Sequence, residues 1–265
     1  MPVDESNRSA KIAGRGVSIA YGSRRIVEDL DLVVPERRFT ALVGPNGSGK
    51  STILRTFAGL MRATGGSILL DGRSIATLGA REMARRVGVL LQGPVAPEGL
   101  TVRDLVQQGR YPHRSLFGRW SEADQAACEE AMMLTGTTTL ADTPLDTLSG
   151  GQRQRAWIAM TLAQQSEVLL LDEPTTFLDL AHQIELMNLI TVLVRDHRKT
   201  VVAVLHDLNQ AARYAEHVVL LKDGRIAAAG HPSDVISQDT IADVFGVRSM
   251  VIRDPVAGTP LCVPL

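Results

Sequence analysis

The first part of the chain has the alternation of apolar and polar residues that is typical of a half-exposed strand. From Asp29 onward, Leu30, Leu32 and Val34 occupy every second position. A glycine-rich stretch, Gly44–Gly49, is followed by a helical pattern that we expect to continue through Leu60. Three compact apolar runs predict strands: Phe39–Val43, Ile68–Leu70 and Val87–Leu91.

Strand patterns stop between about Leu100 and Gln165. Ser121 followed by Asp124 is a typical helix start and precedes the helical run 126–134. Leu148–Gln152 is a turn that leads into another helix. We therefore predict a helical subdomain over approximately residues 100–165, inserted in an α/β core.

The α/β pattern then resumes. Asp223–Gly224 is a hairpin signal between two apolar runs, and the residues from 231 to 265 predict a short appendage of helix and strand. The segments predicted before this hairpin are a buried strand, a helix and a second buried strand: Val168–Leu171, Leu178–Val194 and Val201–Leu205.

Composition indicates a globular chain with no general affinity for nucleic acid. Of its 265 residues, 45% are hydrophobic and 22% are charged, and the formal net charge is −1. The polar segment Met1–Lys11 lacks the apolar core of a signal peptide, and no apolar run approaches the roughly 20 residues that span a bilayer. We expect a chain that is made and kept in the cytoplasm and reaches a membrane only through a partner.

The glycine-rich stretch has the spacing of a phosphate-binding loop between a strand and a helix. Glycines leave room for backbone N–H groups to surround phosphate oxygens, and the helix that follows directs its positive end at the anion. Lys50 is expected to reach the β- and γ-phosphates, and the hydroxyl of Ser51 to bind Mg²⁺. The predicted nucleotide-binding residues are Gly44, Pro45, Asn46, Gly47, Ser48, Gly49, Lys50, Ser51 and Thr52. This loop alone indicates only a P-loop NTPase.

Two carboxylates follow the buried strand Val168–Leu171. Such a strand delivers Asp172 to its carboxyl end, beside the phosphate loop, where it can hold Mg²⁺. Glu173 is then placed near the γ-phosphate and can act as general base for the attacking water.

With these two motifs in place, the segment Leu148–Gln152 resembles the signature of the ABC ATPase family. The resemblance implies a P-loop NTPase fold of class α/β, with an ABC-ATPase core, an inserted helical subdomain and an N-terminal antiparallel β portion. It also implies a head-to-tail homodimer in which each subunit covers the ATP of the other. The residues expected to bind nucleotide in trans are Ser149, Gly150, Gly151, Gln152 and Asp179.

The other positions at which the ABC ATPase family has functional residues also carry matching residues in this sequence. Tyr21 is similar to the aromatic residue that stacks on adenine, and Gln92 to the glutamine that contacts Mg²⁺ and water. His206 is similar to the histidine that contacts the γ-phosphate, so Glu173, His206, Lys50 and Gln92 are the expected catalytic residues. The resemblance assigns residues 11–230 to the ATPase domain and leaves 231–265 as a C-terminal appendage.

Several segments resemble the ATPases of ferric-siderophore importers, of the ferric enterobactin and hydroxamate type. They are Gln107–His113, Leu116–Trp120, Thr175–Leu186 and Leu205–Ala215. The resemblance implies an ATP-hydrolysing subunit at the cytoplasmic face of the bacterial inner membrane, bound to integral membrane permease subunits and served indirectly by a substrate-binding protein. The region Gly109–Trp120 either docks a permease helix or packs on its own subdomain.

Three alternatives remain open. The first is a related importer of vitamin B12, haem or metal ions, whose ATPase would look much the same because other chains select the solute. A soluble ABC ATPase acting on DNA, ribosomes or cluster assembly usually has two cassettes or coiled-coil insertions, which this sequence lacks. A non-enzymatic regulator is disfavoured by Asp172, Glu173 and His206.

Overall fold

The structure is a computed structural model that describes residues 10–114, 119–176 and 178–265. The resemblance at Leu116, Phe117 and Gly118 therefore lies outside the described residues, as do Phe177 and most of the polar segment that begins at Met1. The strands are β1 (Ala10–Tyr21), β2 (Arg24–Pro35), β3 (Phe39–Val43), β4 (Gly65–Leu70), β5 (Arg73–Ser74), β6 (Val87–Leu90), β7 (Val168–Leu171), β8 (Thr200–Val204), β9 (His217–Lys222), β10 (Arg225–Gly230), β11 (Ser249–Arg253) and β12 (Pro260–Pro264). The helices are α1 (Lys50–Phe57), α2 (Ala80–Arg86), α3 (Val102–Gln108), α4 (Glu122–Leu134), α5 (Gly150–Ala163), α6 (Leu180–Arg195), α7 (Leu208–Tyr214), α8 (Pro232–Val235) and α9 (Gln238–Phe245).

A six-stranded sheet in the order β10-β9-β3-β8-β7-β6 forms the centre of the molecule. β9, β3, β8, β7 and β6 are parallel neighbours, and only β10 pairs in the antiparallel direction. β3, β7 and β8 are buried along their whole length, as continuous apolar runs in a parallel sheet should be. The carboxyl ends of β3, β6, β7 and β8 therefore lie at one common edge of the sheet. This brings together the residues that follow each of these strands.

A second sheet, in the order β2-β1-β4-β5, is antiparallel. The predicted alternation in β2 is confirmed, since Leu30, Leu32 and Val34 are buried while Asp29 and Asp31 are exposed. Its buried side chains form one hydrophobic cluster with side chains of α1 and of the parallel sheet. α1, and with it the end of the glycine-rich loop, is thus fixed between the two sheets.

The region between β6 and β7 is built from α3, α4 and α5. Over its described residues, 91–114 and 119–167, no strand forms, and the one β-bridge joins Thr101 to Pro144. The predicted start of α4 is confirmed, because Ser121 and Asp124 form a reciprocal capping box. The predicted fold class, including the inserted helices and the N-terminal antiparallel sheet, is therefore confirmed, while the domain limits remain predictions.

Two helix boundaries differ from the predicted ones by two residues or more. α1 ends at Phe57 rather than Leu60, because Gly59 takes a left-handed conformation and the N–H of Leu60 returns to the carbonyl of Arg55. α6 begins at Leu180 rather than Leu178, because the Asp179 side chain caps it. In both cases a local cap overrides a continuing apolar pattern.

The C-terminal part consists of α8, α9 and the hairpin β11–β12. The predicted hairpin between β9 and β10 is confirmed, with positive φ at both Asp223 and Gly224. Within the described residues, the helices are all too short or too polar to cross a membrane.

Candidate functional site

The glycine-rich loop leads directly from β3 into α1. Gly49 occupies the N-cap of α1 with φ 95, a conformation that favours glycine. The Lys50 side chain is 5% exposed, and its Nζ donates hydrogen bonds of 2.8 Å to the carbonyl oxygens of Gly44 and Pro45. The amine is thus held at the mouth of the loop, where a phosphate oxygen can bind it.

Ser51 and Asp172 meet at the edge where α1 begins and β7 ends. The Ser51 hydroxyl donates a hydrogen bond of 2.7 Å to Oδ1 of Asp172. The other oxygen, Oδ2, is buried, has no hydrogen-bond partner among the described residues, and lies 3.6 Å from the Arg55 guanidinium. Two hard oxygen donors and a spare buried carboxylate oxygen fit Mg²⁺, which binds through few protein oxygens and completes its shell with water and phosphate.

Burial perturbs the two charged groups beside the loop. It lowers the pKa of Lys50, against the attraction of Glu173 and Asp172, because the buried ammonium loses its hydration. It also raises the pKa of Asp172, against the hydrogen bond from Ser51. A bound anion next to Lys50 and a bound cation next to Asp172 would each favour the charged form.

Glu173 brings together two of the other predicted catalytic residues. Its Oε2 accepts a hydrogen bond of 2.5 Å from Nε2 of Gln92, and its Oε1 lies 2.8 Å from Nε2 of His206. The hydroxyl of Thr176 also donates to Oε2, at 3.2 Å. Glu173 has φ 52, in the left-handed region that a residue with a Cβ seldom occupies, so these contacts hold a strained backbone in place.

The predicted residues outside this cluster occupy separate positions. Tyr21 lies at the end of β1 with 51% of its surface exposed, which leaves its ring free to stack on a base. Ser149 caps α5 through a reciprocal capping box with Gln152, and Ser149 and Gly150 are exposed. A cleft lined by Gln92, Glu173 and Gly150, among others, separates the loop after β6 from the start of α5 within one chain.

Asp179 and the start of α5 are connected through His182. Oδ1 of Asp179 accepts hydrogen bonds from the backbone N–H of His182, at 2.9 Å, and contacts its ring Nδ1, at 2.7 Å. The same ring packs on Gly151, where an added Cβ would lie 2.8 Å from the ring carbon Cδ2. Glycine at position 151 therefore makes this close packing of α5 against α6 possible.

Sequence reasoning missed Arg55, Thr176 and His182. Arg55 follows Ser51 by one helical turn, so helix periodicity could have placed it beside Asp172. Thr176 and His182 act through contacts that only the folded chain shows.

The region Gly109–Trp120 divides into a buried and an exposed part. Arg110 is buried and binds Asp124 at 2.9 Å, the carbonyl of Ala163 at 2.7 Å and Oε1 of Gln165 at 2.9 Å. Arg110 therefore joins the helices of its own subdomain, while the ring of Tyr111 is 70% exposed.

Comparisons with known proteins identify the family and the fold of this chain. A family model described as ABC transporter matches residues 27–176. The ferric enterobactin transport ATP-binding protein FepC of Escherichia coli (strain K12) is 50% identical over 256 residues, which cover 97% of this chain and 94% of that protein. The iron(3+)-hydroxamate import ATP-binding protein FhuC of Bacillus subtilis (strain 168) is 44% identical over 247 residues, which cover 93% of this chain and 92% of that protein.

Among solved structures, the dimeric bacterial ABC transporter cassette MJ0796 superposes with a TM-score of 0.74 at 28% identity, covering 83% of this chain and 98% of that one. The expected fold and the expected family are both confirmed by these matches. The family model spans more than half of the residues and the relatives span nearly all of them, so the chain belongs to the ABC transporter family, among its ATP-binding proteins.

Proposed function

We propose that this chain hydrolyses ATP to drive a ferric-siderophore importer. The names of two relatives matched over nearly their whole length support the solute class, since one serves ferric enterobactin and the other iron(3+)-hydroxamate. The observation that carries the chemistry is the contact of Glu173 with both His206 and Gln92, next to Lys50 and Asp172.

ATP binds with its phosphates at the glycine-rich loop and its adenine at Tyr21. Residues 44–52 hold its phosphates through backbone N–H groups, the start of α1 and the Lys50 ammonium. Tyr21 stacks on the adenine, since its ring is exposed at the end of β1. The binding of the polyphosphate replaces the two loop carbonyls that now accept from Lys50.

Hydrolysis depends on the position of one carboxylate. Glu173 accepts the proton of the attacking water, a role that is typically worth about 10² to 10⁴-fold in rate. Gln92 and His206 hold its two oxygens in place, and both side chains can also donate to water or to the γ-phosphate when ATP is bound. Lys50 stabilises the charge that develops on the phosphoryl oxygens.

Ser51, Asp172 and Gln92 are the residues that would hold Mg²⁺. When bound, the ion neutralises charge on the β- and γ-phosphates. Asp172 is suited to this role because its second oxygen is buried without a hydrogen-bond partner among the described residues.

The working unit is a homodimer. Ser149, Gly150, Gly151, Gln152 and Asp179 of one subunit cover the ATP bound to the other. The start of α5 suits this role because Ser149 and Gly150 are exposed there and a helix N-terminus attracts phosphate. The dimeric cassette among the structural relatives supports this arrangement. ATP then holds the two subunits together, and its hydrolysis releases them.

The dimer acts at the cytoplasmic face of the bacterial inner membrane. It binds integral membrane permease subunits there, and a substrate-binding protein delivers the solute from the other side. Nucleic acid has no part in this cycle.

Uptake by the assembled transporter tests the function. The chain is isolated with the permease subunits that co-purify with it and reconstituted in vesicles with the matching binding protein. We expect ATP-dependent uptake of a ferric enterobactin or ferric hydroxamate complex, which Lys50→Ala abolishes. Uptake of cobalamin or haem, with none of any ferric siderophore, would contradict the solute class while leaving the ATPase intact.

A further inference from the structure

The C-terminal hairpin β11–β12 is hydrogen-bonded to α7, the helix that follows His206. The side-chain amide of Asn209, in the first turn of α7, binds both backbone groups of one residue of β12. Its Nδ2 donates to the carbonyl oxygen of Cys262 at 3.1 Å, and its Oδ1 accepts from the N–H of Cys262 at 2.7 Å.

This pairing uses the outer edge of the hairpin. Cys262 is the partner of Val251 on β11, yet its N–H points to Asn209, so this is the side of β12 that faces away from β11. An unpaired strand edge offers a row of free backbone groups, and the amide of Asn209 satisfies one donor and one acceptor as a further strand would.

Two further contacts hold α7 in the same place. Arg213 lies 3.9 Å from Asp254, in the turn of the hairpin. A small hydrophobic cluster joins α7 to the C-terminal elements, with members Leu208, Ala212, Ile236, Ile241, Phe245, Val251 and Cys262. The appendage is thus packed on α7 by polar and apolar contacts.

α7 is connected in turn to two parts of the candidate site. His206 precedes its N-cap, Asp207, whose Oδ1 accepts from the N–H groups of Asn209 and Gln210. The Gln210 amide donates to Gln183 on α6 at 2.6 Å, and Gln183 donates to the carbonyl of Leu178 at 2.9 Å, one residue before Asp179.

We propose that Asn209 is a positioning residue for ATP hydrolysis, and that the C-terminal hairpin sets the place of His206 against Glu173 through it. The amide fixes α7, α7 fixes the short segment 206–207, and that segment holds His206 Nε2 at 2.8 Å from Glu173 Oε1. The kinetic part of this inference rests on the proposed ATPase function, whereas the structural part does not.

Two substitutions break the contact from opposite sides. Asn209→Ala removes the amide, and Cys262→Pro removes the backbone donor along with the thiol side chain, at a strand edge where proline is tolerated. The matched controls are Asn188→Ala, at an exposed position of α6, and Cys262→Ala, which keeps the N–H group. Circular dichroism melting first establishes that each full-length variant is folded.

The first readout is the ring signals of His206 in the full-length protein, observed by NMR with labelled histidine and assigned through His206→Ala. The chain has six histidines, so the spectrum is simple. We expect the His206 signals to move in Asn209→Ala and Cys262→Pro, and to stay in place in both controls. Unmoved His206 signals in Asn209→Ala would overturn the proposal, whatever the activity.

The second readout is steady-state ATP hydrolysis. We expect Asn209→Ala to lower kcat about five- to tenfold while KM for ATP changes less than about twofold, because α7, which places His206, loses its two hydrogen bonds to Cys262. In a His206→Ala background the same substitution should cause no further loss. Losses that multiply in the double variant would overturn the proposal, whereas a wild type without ATPase activity but with moving His206 signals would refute the proposed function alone.

Discussion

Oε1 of Glu173 lies 2.8 Å from Nε2 of His206, although the two residues come from the ends of different strands, β7 and β8. Gln92, which follows β6, binds the other oxygen of the same carboxylate at 2.5 Å. The parallel sheet therefore places the proposed general base, Glu173, between two polar side chains that contact its two carboxylate oxygens.

Loss of the loop lysine should weaken nucleotide binding. Lys50→Ala removes a buried ammonium that two loop carbonyls hold at the phosphate position, and we expect the Kd for ATP to rise at least about tenfold. Isothermal titration with ATP measures this change. Lys222→Ala is the control, because Lys222 binds Asp243 at the surface, and an equal loss of affinity in the two variants would contradict the role of Lys50.

The proposed metal ligand predicts a change in Mg²⁺ dependence. Asp172→Asn keeps the size of the side chain but removes the charge next to Ser51. We expect the Mg²⁺ concentration that gives half-maximal ATPase activity to rise about tenfold or more, because the ion loses an anionic ligand. Asp142→Asn, at an exposed position, should leave the Mg²⁺ titration unchanged. An unaltered titration for Asp172→Asn would rule this carboxylate out as a ligand.

The close packing of Gly151 on His182 predicts a compensating pair of substitutions. In Gly151→Ala the new Cβ meets the ring 2.8 Å away, and we expect the free energy of unfolding to fall by about 1–3 kcal/mol. ATP-dependent dimerisation should weaken as well, because the start of α5 moves.

The double variant Gly151→Ala, His182→Ala tests that explanation. Removal of the ring makes room for the Cβ, so both stability and dimerisation should recover relative to Gly151→Ala. Urea denaturation and size-exclusion chromatography in ATP measure the two effects. If neither stability nor dimerisation recovered in the double variant, the clash with the His182 ring would not explain the effect of Gly151→Ala.

The buried ion pair in the helical region predicts a large loss of stability. Arg110→Ala leaves the Asp124 carboxylate buried without its partner, and we expect the free energy of unfolding to fall by about 3 kcal/mol. The matched control is Arg103→Ala, which breaks the exposed pair with Asp142 and should hardly change the denaturation midpoint. Similar midpoints for the two variants would contradict a structural role for Arg110.

The elements that the sequence predicted well are those with an unambiguous local signal. The buried strand Val168–Leu171 forms with the predicted limits, and the start of α4 follows from the Ser121 capping box. The glycine-rich loop has its strand and its helix on either side, because glycine spacing and apolar runs are local properties of the chain.

What the sequence left open depends on contacts between distant segments. The resemblance gave Gln92, Glu173 and His206 roles, but the direct contacts among them appear only when β6, β7 and β8 become neighbours in the sheet. Arg110 gave no signal of burial, because its partners Asp124 and Ala163 come from two other helices. The link from Asn209 to Cys262 joins residues too far apart for any periodicity to connect them.

The most direct test of the account is the ATPase rate of a Glu173→Gln variant with Mg²⁺, compared with wild type and with the exposed control Glu130→Gln, while all three are sized in ATP. We expect wild type and control to hydrolyse ATP alike. Glu173→Gln should be slower by at least about 100-fold, still bind ATP, and accumulate as an ATP-dependent dimer. Hydrolysis by Glu173→Gln at the wild-type rate would contradict the assignment of Glu173 as the general base, and with it the centre of the proposed site.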